Sequence, residues 1–242
     1  MEKEKYIEEI KSNIQKFGYH VTYVIADISP SFAYTIGLSQ TFNFELVIAG
    51  GAFYNRAEKE TIITSIADKI IETDNKIPQS INLGELGVFS LSLVDESWSK
   101  LFLLGVYDIL KKETVVALGI VPDQNHFTLD IPKMSVPFNV NNEPVWQWMA
   151  KEWKYNVSKE STVGTDLDAL KGKAITEVTR WEDDYWEMYH GDGNEMPKDQ
   201  IRVVSIGTML GIDPSLIAAF DVPLEKGLYR ESADDEWKKW RW

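Results

Sequence analysis

Residues 181–193, Trp-Glu-Asp-Asp-Tyr-Trp-Glu-Met-Tyr-His-Gly-Asp-Gly, put four aromatics and five carboxylates into thirteen positions. Two chemistries suit that mixture. Carboxylates beside His190 could ligate a hard cation, or acidic groups among aromatic rings could hold a basic protein surface. The spacing argues against the cation. The Asp-x-Asp-x-Asp-Gly calcium loop is absent, and His20, His126 and His190 show no zinc-type helical pairing, so no metal and no cofactor are expected. As a strand, the stretch alternates Trp181, Asp183, Tyr185, Glu187 and Tyr189 on one face with Glu182, Asp184, Trp186, Met188 and His190 on the other. Neither face is cleanly apolar. Periodicity alone therefore leaves the burial open, and the carboxylates read as solvated or partner-facing.

A second place for chemistry is the pair Glu45 and Asp123, each at the edge of a predicted strand. Two carboxylates brought together could act as general acid and base. With Tyr34, Thr35, Gly37 and Pro122 they define a possible ligand pocket, the basis for an alternative reading as an enzyme, a hydrolase being the loosest guess, or a small-ligand sensor. No Gly-x-Ser-x-Gly elbow, phosphate loop or dinucleotide fingerprint appears, so no catalytic residue is assigned.

The elements that must position these residues read as α+β. Glu2–Phe17 has Tyr6, Ile7, Ile10 and Ile14 at helical spacing, with Gly18 as its stop. Strands are expected over 19–27, 31–38, 44–49, 115–121 and 126–131, with a hairpin-like pair over 83–94. Helices are expected over 56–73, 97–112 and 144–156. Three prolines and three asparagines make 132–144 a loop. The small polar run 158–165 reads as a linker, which divides the chain into an N-terminal domain, 1–157, and a smaller α+β domain, 166–242. In the second part, strands are expected over 173–179, 201–206 and 224–230, and Asp213-Pro214 reads as a helix start. The first domain is expected to be mainly one antiparallel sheet with helices packed on it.

The 242 residues can bury a sizeable core, and there is no cysteine for a disulfide, a thiolate metal site or a cysteine nucleophile. The formal net charge of −13 works against nucleic acid and anionic membranes and favours a basic partner. Neither a signal peptide nor a spanning segment is expected, and the cytoplasm is the expected compartment.

Two resemblances add to this. Phe32-Ala-Tyr34-Thr35-Ile-Gly37-Leu38, then Glu45-Leu46, then Pro122-Asp123 with Phe127, resemble a bacterial family known as domain of unknown function 4262, over about 18–131. Asn43 and Phe44 stand where that family usually shows His and Pro, and Gly119 where glutamine is common. If that His does chemistry in relatives, this chain lacks it. The family implies no established activity.

Asp183, Asp184 and Trp186, then Tyr189, Gly191 and Asp192, then Asp213-Pro214 and Tyr229-Arg230, resemble immunity protein family 33, or domain of unknown function 2185, over about 173–237. Asp184-Tyr185 replaces a Ser-Gly and Gly193 a Glu. That resemblance implies neutralisation of a bacterial toxin by direct binding. With the charge, it predicts a non-catalytic, acidic, cytoplasmic binding protein whose partner is a basic toxin domain, met by a partner-binding set of Asp183, Asp184, Glu187 and Asp192 with Trp186 and Tyr189 as anchors.

Overall fold

The computed structural model describes residues 2–73, 77–191, 193 and 196–240. The fold is α+β and holds two sheets of six strands. In the first half, α1 (Glu2–Phe17) leads into β1 (His20–Val24) and β2 (Phe32–Ile36), and a one-turn α2 (Leu38–Thr41) leads into β3 (Glu45–Ala49). The helix α3 (Arg56–Glu72) follows, then β4 (Ile81–Asn82), β5 (Val88–Leu93), α4 (Glu96–Phe102), α5 (Leu104–Leu110) and β6 (Ala117–Pro122). The strand order is β1-β2-β3-β6-β5-β4, antiparallel throughout except where β3 runs parallel to β6.

Both faces of this sheet are covered. Every residue of β2 and β3 is buried, which is why they read as near-continuous apolar runs. Ile62, Ile63, Ile66 and Ile70 of α3 pack with Ala33, Leu46 and Ile48 on one face. Phe32, Tyr34, Ile36 and Val47 face the other way, toward Trp98, Phe102 and Val106 of α4 and α5.

The second half adds β7 (Thr162–Asp166), α6 (Leu167–Leu170), β8 (Glu177–Arg180), β9 (Tyr185–Tyr189), β10 (Ile201–Ser205), α7 (Ile206–Ile212), β11 (Lys226–Tyr229) and β12 (Lys238–Lys239). Its order is β10-β7-β9-β8-β11-β12, with one parallel pairing, β7 to β9. Val163, Val178, Trp186 and Met188 pack with Ile206, Met209 and Leu210 of α7.

Four expectations change. The helix expected over 97–112 is two helices, because the Gly105 N–H donates to the Tyr34 hydroxyl (3.1 Å) and the chain turns at Leu103 (φ −94°, ψ 37°). In 144–156 only the single 3-10 turn Gln147–Met149 forms. Its indoles are committed elsewhere: Trp146 donates to the Asp130 carbonyl (2.8 Å), Trp148 to that of Gly207 (3.0 Å) and Trp153 to that of Val157 (2.7 Å). Residues 126–131 form turns around buried Thr128 and Asp130 instead of a strand. Residues 162–165, read as linker, lie in β7, paired on both sides by β10 and β9. Their small polar side chains suit a strand crowded by neighbours: Thr165 donates to the Met188 carbonyl (2.7 Å), and a Cβ on Gly164 would sit 3.0 Å from the Tyr185 hydroxyl.

The halves meet along α7. Gly207 and Gly211 lie one helical turn apart and let this helix touch backbone of the first half. A Cβ on Gly207 would come 2.3 Å from the Ile28 carbonyl oxygen, and one on Gly211 2.5 Å from the Val145 Cα. Backbone cannot yield as a flexible side chain does, so Gly211→Ala is expected to cost about 2 kcal/mol or more. A fall in thermal unfolding midpoint against the native chain checks this, and an unchanged midpoint would show that the halves do not pack through α7.

Candidate functional site

The acidic aromatic stretch is a hairpin. β8 pairs antiparallel with β9, with Arg180 opposite Trp186 and Glu177 opposite Tyr189. The tip, 181–184, closes on itself: the N–H groups of Trp181 and Glu182 both donate to the Tyr185 carbonyl (3.1 and 3.2 Å). The Thr162 N–H donates to the Asp184 carbonyl (2.8 Å), which ties the tip to β7.

Alternation decides what each residue does. Trp186 and Met188 point into the core, and Trp186 is fully buried. Arg180 lies over the Trp186 ring at 5.0 Å and reaches Asp183 at 3.5 Å. Tyr185, Glu187 and Tyr189 point to the opposite face. There Glu187 accepts the Trp181 indole N–H (2.7 Å) and the Tyr185 hydroxyl (3.5 Å). Burial, then the Glu187 charge, push the Tyr185 and Tyr189 phenols up, so both stay protonated donors at neutral pH.

Of the expected partner-binding set, Asp183 and Asp184 are exposed and Glu187 is half-buried. Trp186 and Tyr189 are corrected. Trp186 is a core residue, and the Tyr189 ring is buried with Gly193 against it, where a Cβ would come 2.4 Å from the ring. Asp192 lies outside the described residues. Sequence reasoning passed over Trp181, whose ring is 41% exposed beside the carboxylates, and Glu182, which is exposed. Their signal was position, since both precede β9 where the chain must turn. His190 is spent on structure: its ring Nδ1 pairs with the Ala174 carbonyl (2.8 Å), and its N–H donates to Asp166 (2.7 Å).

The expected ligand pocket comes apart. Glu45 is fully buried at the start of β3, and both its oxygens are occupied. One accepts the Thr35 hydroxyl (2.7 Å), and the other accepts the N–H groups of Gly37 and Ser39 (3.0 Å each). Thr35 in turn accepts the Leu46 N–H (2.8 Å), and the Tyr34 hydroxyl is held by Gly105. Asp123 lies beyond the far end of β6. Glu45 pairs with Ala117, so the six residues from there to Asp123 put the two carboxylates about 20 Å apart along the strands. Asp123 accepts from the N–H groups of Val88 (2.8 Å) and Asn125 (3.0 Å) and pairs with the His126 ring (2.8 Å), which closes a turn. Pro122 is buried in β6. Tyr34, Thr35, Gly37, Glu45, Pro122 and Asp123 therefore hold the first sheet together and do not line one site.

Residues 13–127 match the family model described as Domain of unknown function (DUF4262). The match bears out the resemblance of the N-terminal part, covers just under half of the chain and stops before the second sheet. No curated protein and no solved structure matches the chain. Where the chain departs from the family pattern, Asn43 adopts φ +63°, which asparagine and histidine both tolerate, Phe44 is buried, and a Cβ at Gly119 would meet the movable end of the Met134 side chain at 2.8 Å. Among the described residues, no helix is long and apolar enough to cross a membrane.

Burial raises the Glu45 carboxyl above its ordinary value of 4.5, against the pull of its hydrogen bonds. The stability that Glu45 contributes is thus fully present below that value and lost as pH rises through its folded pKa. Urea midpoints measured from pH 4 upward are expected to fall less for Glu45→Gln than for the native chain. Glu45→Leu strands two buried N–H groups and is expected to lose about 2–4 kcal/mol at any pH.

Proposed function

We propose that this chain is a non-catalytic, acidic binding protein of immunity type, which neutralises a basic bacterial toxin domain by contact through the β8–β9 hairpin tip. The observation that carries this reading is the tip itself. Glu182, Asp183 and Asp184 stand exposed beside the half-exposed Trp181 ring, on a turn anchored from beneath by the buried Trp186. A net charge of −13 speeds encounter with a cationic partner, and an aromatic ring amid the charges supplies area that water leaves on contact. The motifs by which 173–237 resembles immunity protein family 33 support the same reading, and a chain without cysteine suits the reducing compartment, the cytoplasm, that this reading assigns to it.

The hydrolase or sensor alternative through Glu45 and Asp123 is not favoured. Two carboxylates at opposite ends of a strand cannot share a proton or a water.

A basic toxin domain expressed alongside the chain supplies the test. Replacing Asp183 and Asp184 together by Lys is expected to slow association about tenfold or more at low salt, with the difference shrinking as salt rises. Trp181→Ala is expected to speed dissociation with the fold intact. Trp186→Ala is expected instead to cost about 3–5 kcal/mol of stability, as a cavity in the core would. Surface-binding kinetics that stay native in both the Lys pair and Trp181→Ala would remove the tip from the interface.

A further inference from the structure

A cleft of about 580 Å³ opens between the two halves, lined by Tyr23, Ser31, Tyr54, Lys59, Asp130 and Arg202 among others. That volume lies within the roughly 300–1,000 Å³ typical of small-molecule sites. Its most unusual member is Lys59. Asn55 caps α3 and makes a capping box with Glu58, which fixes the first turn of the helix and turns Lys59 inward. Only 3% of Lys59 is exposed.

A buried ammonium needs acceptors for three N–H groups. Among the described residues Lys59 has one hydrogen bond, to the Ser31 hydroxyl (3.0 Å), and no carboxylate at ion-pair distance. Asp130 is the nearby counter-charge, and it is held in place by the Ala52 N–H (3.0 and 3.2 Å) and the Thr128 hydroxyl (2.6 Å) without a hydrogen bond to Lys59. Burial holds the Lys59 amine below the ordinary lysine range, against the pull of Asp130. Ser31 accepts from Tyr23 (2.9 Å) as well as from Lys59, so its own proton is left to donate.

Arg202 comes from the opposite wall. Its Nε donates to the Phe53 carbonyl (2.9 Å) and its Nη1 to the carbonyls of Asp199 (2.6 Å) and Ile201 (3.0 Å). Its Nη2 makes no hydrogen bond among the described residues, and no carboxylate pairs with it. Lys59 and Arg202 make no ion pair among the described residues, and they line the cleft with a serine that has a proton to give. Of the carboxylates in the same lining, Asp130 is held by Ala52 and Thr128, Glu58 accepts the Asn55 N–H (2.8 Å) and Asp199 is exposed. Arg56 is different, because Glu60 pairs with it at 2.9 Å.

We propose that the cleft binds a small molecule through an oxyanion, a carboxylate or phosphate group, received by the Lys59 ammonium, the Ser31 hydroxyl and the Arg202 guanidinium. The tyrosines Tyr23 and Tyr54 line the space left for the body of the ligand. An oxyanion accepts several hydrogen bonds at once and supplies the charge that Lys59 lacks, so the desolvated lysine gains most from being occupied. The site stands apart from the hairpin tip and does not rest on the toxin-binding reading.

Titration of the full chain with inorganic phosphate and with acetate, against chloride at equal ionic strength, tests it. Calorimetry and thermal unfolding are the readouts. The expected result is saturable binding of one of the two anions, with a rise in unfolding midpoint that chloride does not give. A phosphate response without an acetate response assigns a phosphate ligand, and the reverse a carboxylate ligand. Lys59→Met and Arg202→Gln are each expected to weaken binding about tenfold or more, the effect of losing a charge-assisted contact. Met fills nearly the volume of the lysine stem without its charge, and Arg202→Gln keeps the proposal testable should Lys59→Met fold poorly. No response to either anion overturns the proposal, as does native affinity in both variants.

Discussion

The first sheet depends on one buried carboxylate. Glu45 gathers the Thr35 hydroxyl and the N–H groups of Gly37 and Ser39, so a single side chain holds the end of β2, the tight turn after it and the start of β3. A buried carboxylate is tolerable only when its lone pairs are filled, and here three donors fill them. Gly37 can serve because it adopts φ +120°, a conformation closed to most side chains. With that corner set, β3 can run parallel to β6, and α3 and the α4–α5 pair can close over the two faces. The residues that carry the resemblance to the DUF4262 family, Tyr34, Thr35, Gly37 and Glu45, are thus members of a folding device.

How much of this could be read beforehand depended on whether a signal was local. Glu2–Phe17 matched its helix to the residue, because apolar spacing and a Gly18 stop are written along the chain. Arg56–Glu72 was nearly as clear. The failures came where a distant partner overruled the pattern. The tryptophans of 144–156 look helical by spacing, yet the indoles of Trp146 and Trp148 donate to carbonyls 16 and 59 residues away along the chain. The run 162–165 looks like linker because its residues are small, and they are small because neighbouring strands crowd them.

The candidate sites divide in the same way. The strand over Tyr185–Tyr189 was legible, but the alternation was read from Trp181 onward, so the turn at 181–184 was missed, as was which aromatics faced the core, since each face mixes charges and rings. The burial of Trp186 and the exposure of Trp181 follow from the packing of α7 on the sheet. Glu45 and Asp123 were plausible partners only while the parallel β3–β6 pairing was unknown. Lys59 gave no signal at all: it sits among charged residues at the start of a helix, and only the second half of the chain makes its surroundings a cleft.

The cleft walls belong to different sheets, and Arg202 already reaches across to the Phe53 carbonyl. Any occupant that touches both walls is therefore linked to the docking of the halves. By thermodynamic reciprocity, whatever the ligand gains from the docked arrangement, the docked arrangement gains from the ligand. The snug contact of Gly207 and Gly211 with first-half backbone sets the geometry in which that exchange takes place. An anion bound as proposed would thus do two things at once, filling the cleft and holding the two sheets to each other across it.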